Sequence, residues 1–128
     1  MNDNLFEKVQ TSSVLYEDVI KEMGSKLKES QQINSVEQYV EEVMDRETYG
    51  DIEIYPDVIL PHIQSNNILK TGIYLIQGNN HYIDWHNQKI KLIILLNLKQ
   101  NEEKSVQLKI QKFMRNLADT SYIEALIK

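Results

Sequence analysis

The apolar positions of this chain change their period twice. Leu15, Val19, Met23 and Leu27 recur every four residues, the stripe of an amphipathic helix. Ser12-Ser13 offer that helix caps, and Gly24 falls inside the stripe without breaking its period. A second helix opens at Ser35-Val36-Glu37-Gln38, where serine and glutamine stand at the spacing of a capping box. Val36, Tyr39, Val40 and Val43 line its apolar face, and Arg46 falls in its last turn, where a cation suits the helix dipole. From Gly50 the period shortens. Ile52 and Ile54 alternate with acids, Pro56 interrupts, and Val58-Ile59-Leu60 resume, which predicts extended chain with a bend. Gly72 to Gln77 predicts a strand, Gly78-Asn79-Asn80 a turn, and His81 to Trp85 a short strand. Ile90 to Leu98 is a strongly apolar strand. Its centre, Leu92-Ile93-Ile94-Leu95-Leu96, lacks alternation and so predicts cover on both faces. Helical spacing returns with Val106, Ile110, Phe113 and Leu117. Asp119-Thr120 then caps a short final helix carrying Ile123, Leu126 and Ile127.

Two helices, a run of strands and then helices predict an α/β fold, a mixed sheet covered by helices. The 128 residues correspond to a single domain, 1–128, large enough to bury roughly two-thirds of its unfolded surface unaided. No internal repeat, low-complexity stretch or linker divides it. The chain stops inside a predicted helix at Lys128, which reads as a domain cut from a longer protein; Met1 followed by a whole domain reads instead as a free-standing one. Cysteine is absent, so there is no disulfide, no thiolate metal site and no cysteine nucleophile, in keeping with a reducing cytoplasm. The net charge of −5 and the lack of any Lys/Arg block argue against direct nucleic-acid binding, which rests on a dense basic patch. Met1-Asn2-Asp3-Asn4 is polar and acidic, unlike a signal peptide, and the longest apolar run is far too short to cross a bilayer. The expectation is a cytoplasmic protein, not on a membrane, acting on proteins or small molecules.

Two side chains carry candidate chemistry. His62 follows Leu60-Pro61 at the end of a hydrophobic strand. Imidazole is partly neutral near pH 7 and attacks without a strong base, while Pro61 fixes its own φ and restricts the residue before it, which holds the histidine's backbone in place. The following Ser65-Asn66-Asn67 offers backbone N–H groups that welcome an anion. The alternative is a surface histidine beside a turn. Arg46 lies sixteen residues earlier; a guanidinium pairs with two phosphate oxygens at once and keeps its charge. Its alternative is a helix-end cation paired with Asp45 or Glu47. His81 and His86 flank Tyr82-Ile83-Asp84-Trp85, but alternate residues of a strand face opposite ways and structural zinc takes four ligands, so no metal is expected. Trp85 reads as a core or edge anchor. Asp18, Glu22, Glu29, Glu37, Glu41 and Glu42 read as the solvated faces of the first two helices. No glycine-rich phosphate loop or nucleophile elbow is present.

Asp45-Arg46-Glu47, the strand into Leu60-Pro61-His62, and Lys70-Thr71-Gly72 before the next strand together resemble the enzyme IIA domain of the mannitol/fructose class of the bacterial phosphotransferase system. The resemblance continues through Ile83-Asp84-Trp85, the apolar Lys91 to Leu96 strand, Leu117-Ala118-Asp119 and Ile123-Glu124-Ala125-Leu126, and so covers the chain from about Leu5 onward. It implies a mixed β-sheet of about four to five strands with helices on both sides. It also implies that His62 accepts a phosphoryl group from the phosphohistidine of the carrier HPr, that Arg46 neutralises the transferred charge, and that no metal or organic cofactor is used. Two positions depart from the pattern. Transport members of the family carry a second active-site histidine at the start of the helix after the apolar strand, where this chain reads Asn101-Glu102-Glu103-Lys104-Ser105-Val106; Lys104 supplies charge there without the titration. Many members have alanine where this chain has Ile59. The missing histidine favours the IIA-like domain of a sugar-responsive transcriptional regulator or antiterminator, partnered by that regulator's own other domains. The alternatives are a free-standing transport component that passes phosphate to an enzyme IIB domain, and an interaction module that is no longer phosphorylated.

Overall fold

The computed structural model describes residues 5–128, Tyr49 by its backbone alone; the polar Met1 to Asn4 segment lies outside the described residues. In chain order the elements are β1 (Phe6–Thr11), α1 (Tyr16–Glu29), α2 (Val36–Arg46), a 3-10 turn (Glu47–Tyr49), β2 (Glu53–Tyr55), β3 (Val58–Ile59), β4 (His62–Ser65), β5 (Gly72–Gly78), β6 (Ile83–Trp85), β7 (Gln88–Ile90), β8 (Leu92–Lys99), α3 (Lys104–Asn116) and α4 (Thr120–Ile127). Strand β8 is the centre of a six-stranded mixed sheet. On one side it pairs antiparallel with β5 (Ile73↔Leu96, Ile76↔Ile93), and β1 closes that edge parallel to β5 (Val9↔Ile76). On its other side β8 pairs in parallel first with β3 (Ile59↔Ile93) and then with β4 (His62↔Leu96). Strand β2 lies outside β3, and β6–β7 forms a separate hairpin.

Successive side chains of a strand point to opposite faces, and here both faces are covered. Ile59, Tyr74, Ile76, Ile93 and Leu95 meet α1 and α2 through Val19, Ile20, Met23, Leu27, Tyr39 and Val43. Val58, Ile73, Leu75, Leu92, Ile94 and Leu96 meet α3 and α4 through Ile110, Phe113 and Ile123. The unbroken apolar centre of β8 is therefore the signature of a strand buried twice. No helix among the described residues is long and apolar enough to cross a membrane.

The expected mixed sheet with helices on both sides is what forms. Its six strands exceed the expected four to five for two reasons. Strand β1 buries only Val9 and Thr11, so its edge position leaves too little apolar signal to read. The apolar run into His62 divides at Pro61, which has no N–H to give a ladder; β3 ends before it and β4 begins after it. His62 thus opens a strand instead of ending one. The run from Ile90 to Leu98 also divides, because the Lys91 N–H turns to the Asp57 carbonyl at 2.8 Å.

At helix α1, Ser12-Ser13 are not the caps: the N-cap is Leu15, with no side-chain bond, and Ser13 Oγ donates instead to Glu22 at 3.1 Å. Gly24 is buried against α2, where an added Cβ would lie 3.1 Å from Val36 Cγ1, so the glycine that interrupts the stripe is what lets the two helices approach. At α2, Ser35 Oγ accepts from Gln38 N at 3.2 Å, one half of the expected box.

One buried bond fixes α2 on the sheet. Tyr39 Oη donates to Asn97 Oδ1 on β8 at 3.0 Å, with both residues almost wholly inaccessible. Tyr39→Phe is expected to lower unfolding stability by about 1–3 kcal/mol, because the Asn97 carbonyl is left buried without a donor. Chemical denaturation reads this as a lower midpoint at unchanged slope.

Candidate functional site

The site begins with the break at Pro61. Its carbonyl still accepts from Leu96 N at 3.0 Å, while Leu60 N turns away to Ile52 O at 2.7 Å. The chain is thus held on both sides of the proline, and His62 starts β4 opposite Leu96. The imidazole is half-buried. Its Nδ1 is buried and has no hydrogen-bond partner, which leaves Nε2 as the nitrogen open to the outside. Burial lowers the ring's pKa from its ordinary 6.5, and the charge of Arg46 lowers it further. The backbone of Leu60 works in the opposite direction without closing a hydrogen bond to Nδ1. The ring is therefore neutral, with a free lone pair, at pH 7.

Arg46 is the last residue of α2. The helix packs over β4, and the guanidinium comes near enough to His62 to depress the ring's protonation. Its Nη1 is buried and without a partner, beside the backbone of Gly50, where a Cβ would lie 3.9 Å away. The helix-end ion pair weighed as the alternative does not form: among the described residues Arg46 joins neither Asp45 nor Glu47. Asp45 is exposed, and Glu47 is engaged elsewhere. Its Oε2 accepts from Trp85 Nε1 at 2.7 Å and its Oε1 bonds His86 Nε2 at 2.9 Å. A buried guanidinium nitrogen and a buried imidazole nitrogen, both unsatisfied, are costly as they stand. An anion held beside Arg46 would satisfy the guanidinium through short charge-assisted bonds.

Other expectations fare differently. The segment Ser65-Asn66-Asn67 does not present a set of free N–H groups. Asn67 N bonds Ser65 Oγ at 3.1 Å and Ile68 N bonds Ser65 O at 3.2 Å. The Asn67 side chain is buried between Ser35 N and Ser35 O. His81 lies against two backbone carbonyls, Asn79 O at 3.0 Å and Ser13 O at 2.9 Å, so it and His86 are drawn to different partners. Trp85 packs against the core as an anchor and also uses its N–H. Two of the acids read as solvated are acceptors: Glu22 for Thr11 and Ser13, and Glu42 for Ser65 at 2.8 Å. Lys104 stands exposed at the first turn of α3. The residues that sequence reasoning missed are Glu47, Trp85 and His86 acting together. Only the Arg46-Glu47 pairing in the quoted motif pointed there.

The described atoms give a neutral nucleophile, one open ring nitrogen and an adjacent unpaired cation. Chemically, that arrangement suits an electrophile that carries negative oxygens. Comparison with known proteins gives the family. The structure is similar to nitrogen regulatory protein IIA-Ntr from Neisseria meningitidis, with TM-score 0.72 and 17% identity over 97% of this chain and 88% of that one. It is similar to a chain in the complex of enzyme IIAMTL and phosphorylated enzyme IIBMTL from Escherichia coli, with TM-score 0.63 and 21% identity over 97% and 90%. It also resembles IIA mannitol from Escherichia coli, with TM-score 0.59 and 17% identity over 100% and 99%. At these identities the likeness is one of fold. No curated protein sequence matches the chain. The sequence itself, over residues 5–128, matches the family described as phosphoenolpyruvate-dependent sugar phosphotransferase system, EIIA 2, and the chain belongs to that family.

Proposed function

We propose that Nε2 of His62 accepts a phosphoryl group from the phosphohistidine of HPr, and that Arg46 compensates the charge that arrives. The observation that carries this is the pair of unsatisfied buried nitrogens, Arg46 Nη1 and His62 Nδ1. With the proton on Nδ1, the Nε2 lone pair attacks phosphorus. The bond from phosphorus to the donor's ring nitrogen breaks as the new N–P bond forms, and its electron pair returns to the donor imidazole. In a loose phosphoryl-transfer transition state little covalent work falls to the protein, so positioning and a nearby cation supply most of the catalysis. Neither a metal nor a cofactor takes part in this scheme, and the chemistry suits the cytoplasm, where HPr is met.

The role of the modified domain follows from what is missing. No histidine stands in the Asn101–Val106 segment before and into α3. Its Glu102 carboxylate is tied to Thr71 Oγ1, and that bond holds its pKa below the usual carboxylate value. An ionised carboxylate only accepts hydrogen bonds and cannot donate one to a phosphoryl oxygen as a histidine ring would. This supports a domain that keeps its phosphate as a signal to neighbouring domains of a transcriptional regulator or antiterminator, where added charge reorders a contact. The second reading, onward transfer to a IIB domain, is favoured by the open Nε2.

Incubation with enzyme I, HPr and phosphoenolpyruvate tests the site. The expected product is acid-labile phosphate on Nε2 of His62, identified by NMR of the modified ring. An unmodified protein under conditions that label a control IIA domain, or phosphate on Nδ1, overturns the proposal. Adding a IIB domain to the labelled protein separates the roles: retained label supports signalling, and rapid loss supports transport.

A further inference from the structure

Arg46 and Glu47 are sequence neighbours of opposite charge, yet they do not pair. Glu47 is the first residue past α2, in the 3-10 turn. Its carboxylate is largely covered, with 16% side-chain exposure, and faces away to the β6–β7 hairpin. Both of its oxygens are occupied there, by the Trp85 indole N–H at 2.7 Å and the His86 imidazole at 2.9 Å.

The hairpin is built to deliver those two groups. Trp85 and Gln88 pair across a two-residue loop, His86-Asn87, and both loop residues have positive φ, 51° and 65°. This is the backbone of a type I′ turn, the form that matches strand twist. It sets the His86 ring against the Trp85 ring, centroids 5.1 Å apart, so that both polar edges reach one carboxylate. The hairpin is anchored in turn. Ile83 and Ile90 are buried in the core beneath α1 and α2, Asp84 N bonds Val14 O at 2.6 Å, and the Gln88 amide is held by Glu53 at 2.7 Å. The anchorage is independent of Arg46 and His62. The hairpin's tip thus turns two polar groups onto one carboxylate, and its anchorage holds them there.

We propose that Trp85 and His86 are positioning residues that hold the Glu47 carboxylate off Arg46, so that the guanidinium stays free for the incoming phosphoryl group. This rests on the phosphoryl-acceptor reading and names a device that serves it. A free carboxylate beside Arg46 would compete with phosphate oxygens for the same fork of donors and would cancel the positive field at the ring. The hairpin removes that competitor by giving it two better-placed donors. The same contacts fix the residue that follows Arg46, which keeps the end of α2 in place over β4.

The test uses the intact protein and a rescue. Trp85→Phe/His86→Ala keeps the packing of an aromatic ring while removing both donors to Glu47. Its rate of labelling by phospho-HPr is expected to fall about 3- to 10-fold, the share that a partly buried ion pair would withhold from Arg46. Adding Glu47→Gln to that background is expected to restore most of the loss, because the amide carries no charge to compete. A purely structural role for the hairpin predicts no such rescue. An independent readout needs no phosphorylation: in the double variant the His62 ring should titrate at higher pH by NMR, and in the triple variant it should return towards the wild-type position. Wild-type protein that is labelled normally, with a double variant labelled equally fast or a triple variant no better than the double, overturns this inference and leaves the acceptor reading standing. Wild-type protein that is never labelled overturns the acceptor reading, and the His62 titrations then decide the hairpin's role alone.

Discussion

His62→Ala should incorporate no phosphate under conditions in which the unaltered protein is labelled to completion. Three histidines are present, and only His62 has an uncommitted ring nitrogen close to an unpaired guanidinium. His81 has its Nδ1 at 3.0 Å from Asn79 O and its Nε2 at 2.9 Å from Ser13 O. A phosphoryl group on either nitrogen would have to break one of those contacts and face a carbonyl oxygen. His86 commits Nε2 to Glu47 at 2.9 Å; its exposed ring lies against that carboxylate, which repels a phosphoryl group on either nitrogen. With no cysteine in the chain, no thiolate offers a detour. The loss in His62→Ala is therefore expected to be total, not partial, whereas His81→Ala should still be labelled. Folding does not confound the result. The deleted ring contributes a buried nitrogen with no partner, a group whose removal relieves a cost, and the neighbouring ladder bond runs through the backbone of Pro61 and Leu96. A denaturation midpoint close to that of the unaltered protein confirms this, and any residual acid-labile label in a folded His62→Ala protein sinks the assignment.

Legibility in the sequence followed the range of the forces involved. Helix α2 could be read closely because its signals are local: the Ser35 cap, the Tyr39 and Val43 face, and Arg46 where a cation suits the dipole. Strands β5 and β8 could be read because double burial writes itself as continuous Ile and Leu. What failed was set by partners distant in sequence or by the absence of a group. Strand β1 exists through its pairing with β5, more than sixty residues on, and its own pattern has two buried positions. In the sequence Pro61 reads as a brace for the histidine. The structure adds that its missing N–H divides the strand, which is why His62 begins β4 with an open ring nitrogen instead of ending a strand in the core. The anion-binding turn expected at Ser65-Asn66-Asn67 failed because Ser65 and Asn67 use their own side chains to satisfy local backbone groups, as short polar residues do in turns. That Arg46 approaches His62 is legible only through the family resemblance, not from the residues themselves. The fifteen residues between them pass through the 3-10 turn, β2 and β3, and no local rule fixes where such a path returns.

Arg46→Ala should slow phosphoryl acceptance on the order of 10²- to 10³-fold, the usual cost of deleting one preorganised charge-stabilising donor. It should also move the His62 titration, and the sign is fixed by the causes. Burial is the larger influence lowering the ring's pKa and Arg46 the second. Removing the guanidinium therefore raises the midpoint, but burial keeps it below the ordinary 6.5. The acid limb of the rate profile moves up in pH with it, because only the neutral ring attacks. Near pH 8 both proteins hold a neutral imidazole, so the rate difference that remains there is the part due to stabilising the transferred phosphoryl group. Arg46→Lys separates charge from geometry. A lysine restores the field and so returns the titration towards its original position, but it lacks the planar fork and should recover only part of the rate. Rapid-quench labelling at pH 6 and pH 8, with NMR of the His62 ring, measures both quantities on the same three proteins. An Arg46→Ala rate within about threefold of the unaltered protein at pH 8, with an unmoved His62 titration, would mean that the guanidinium serves the helix and not the phosphate.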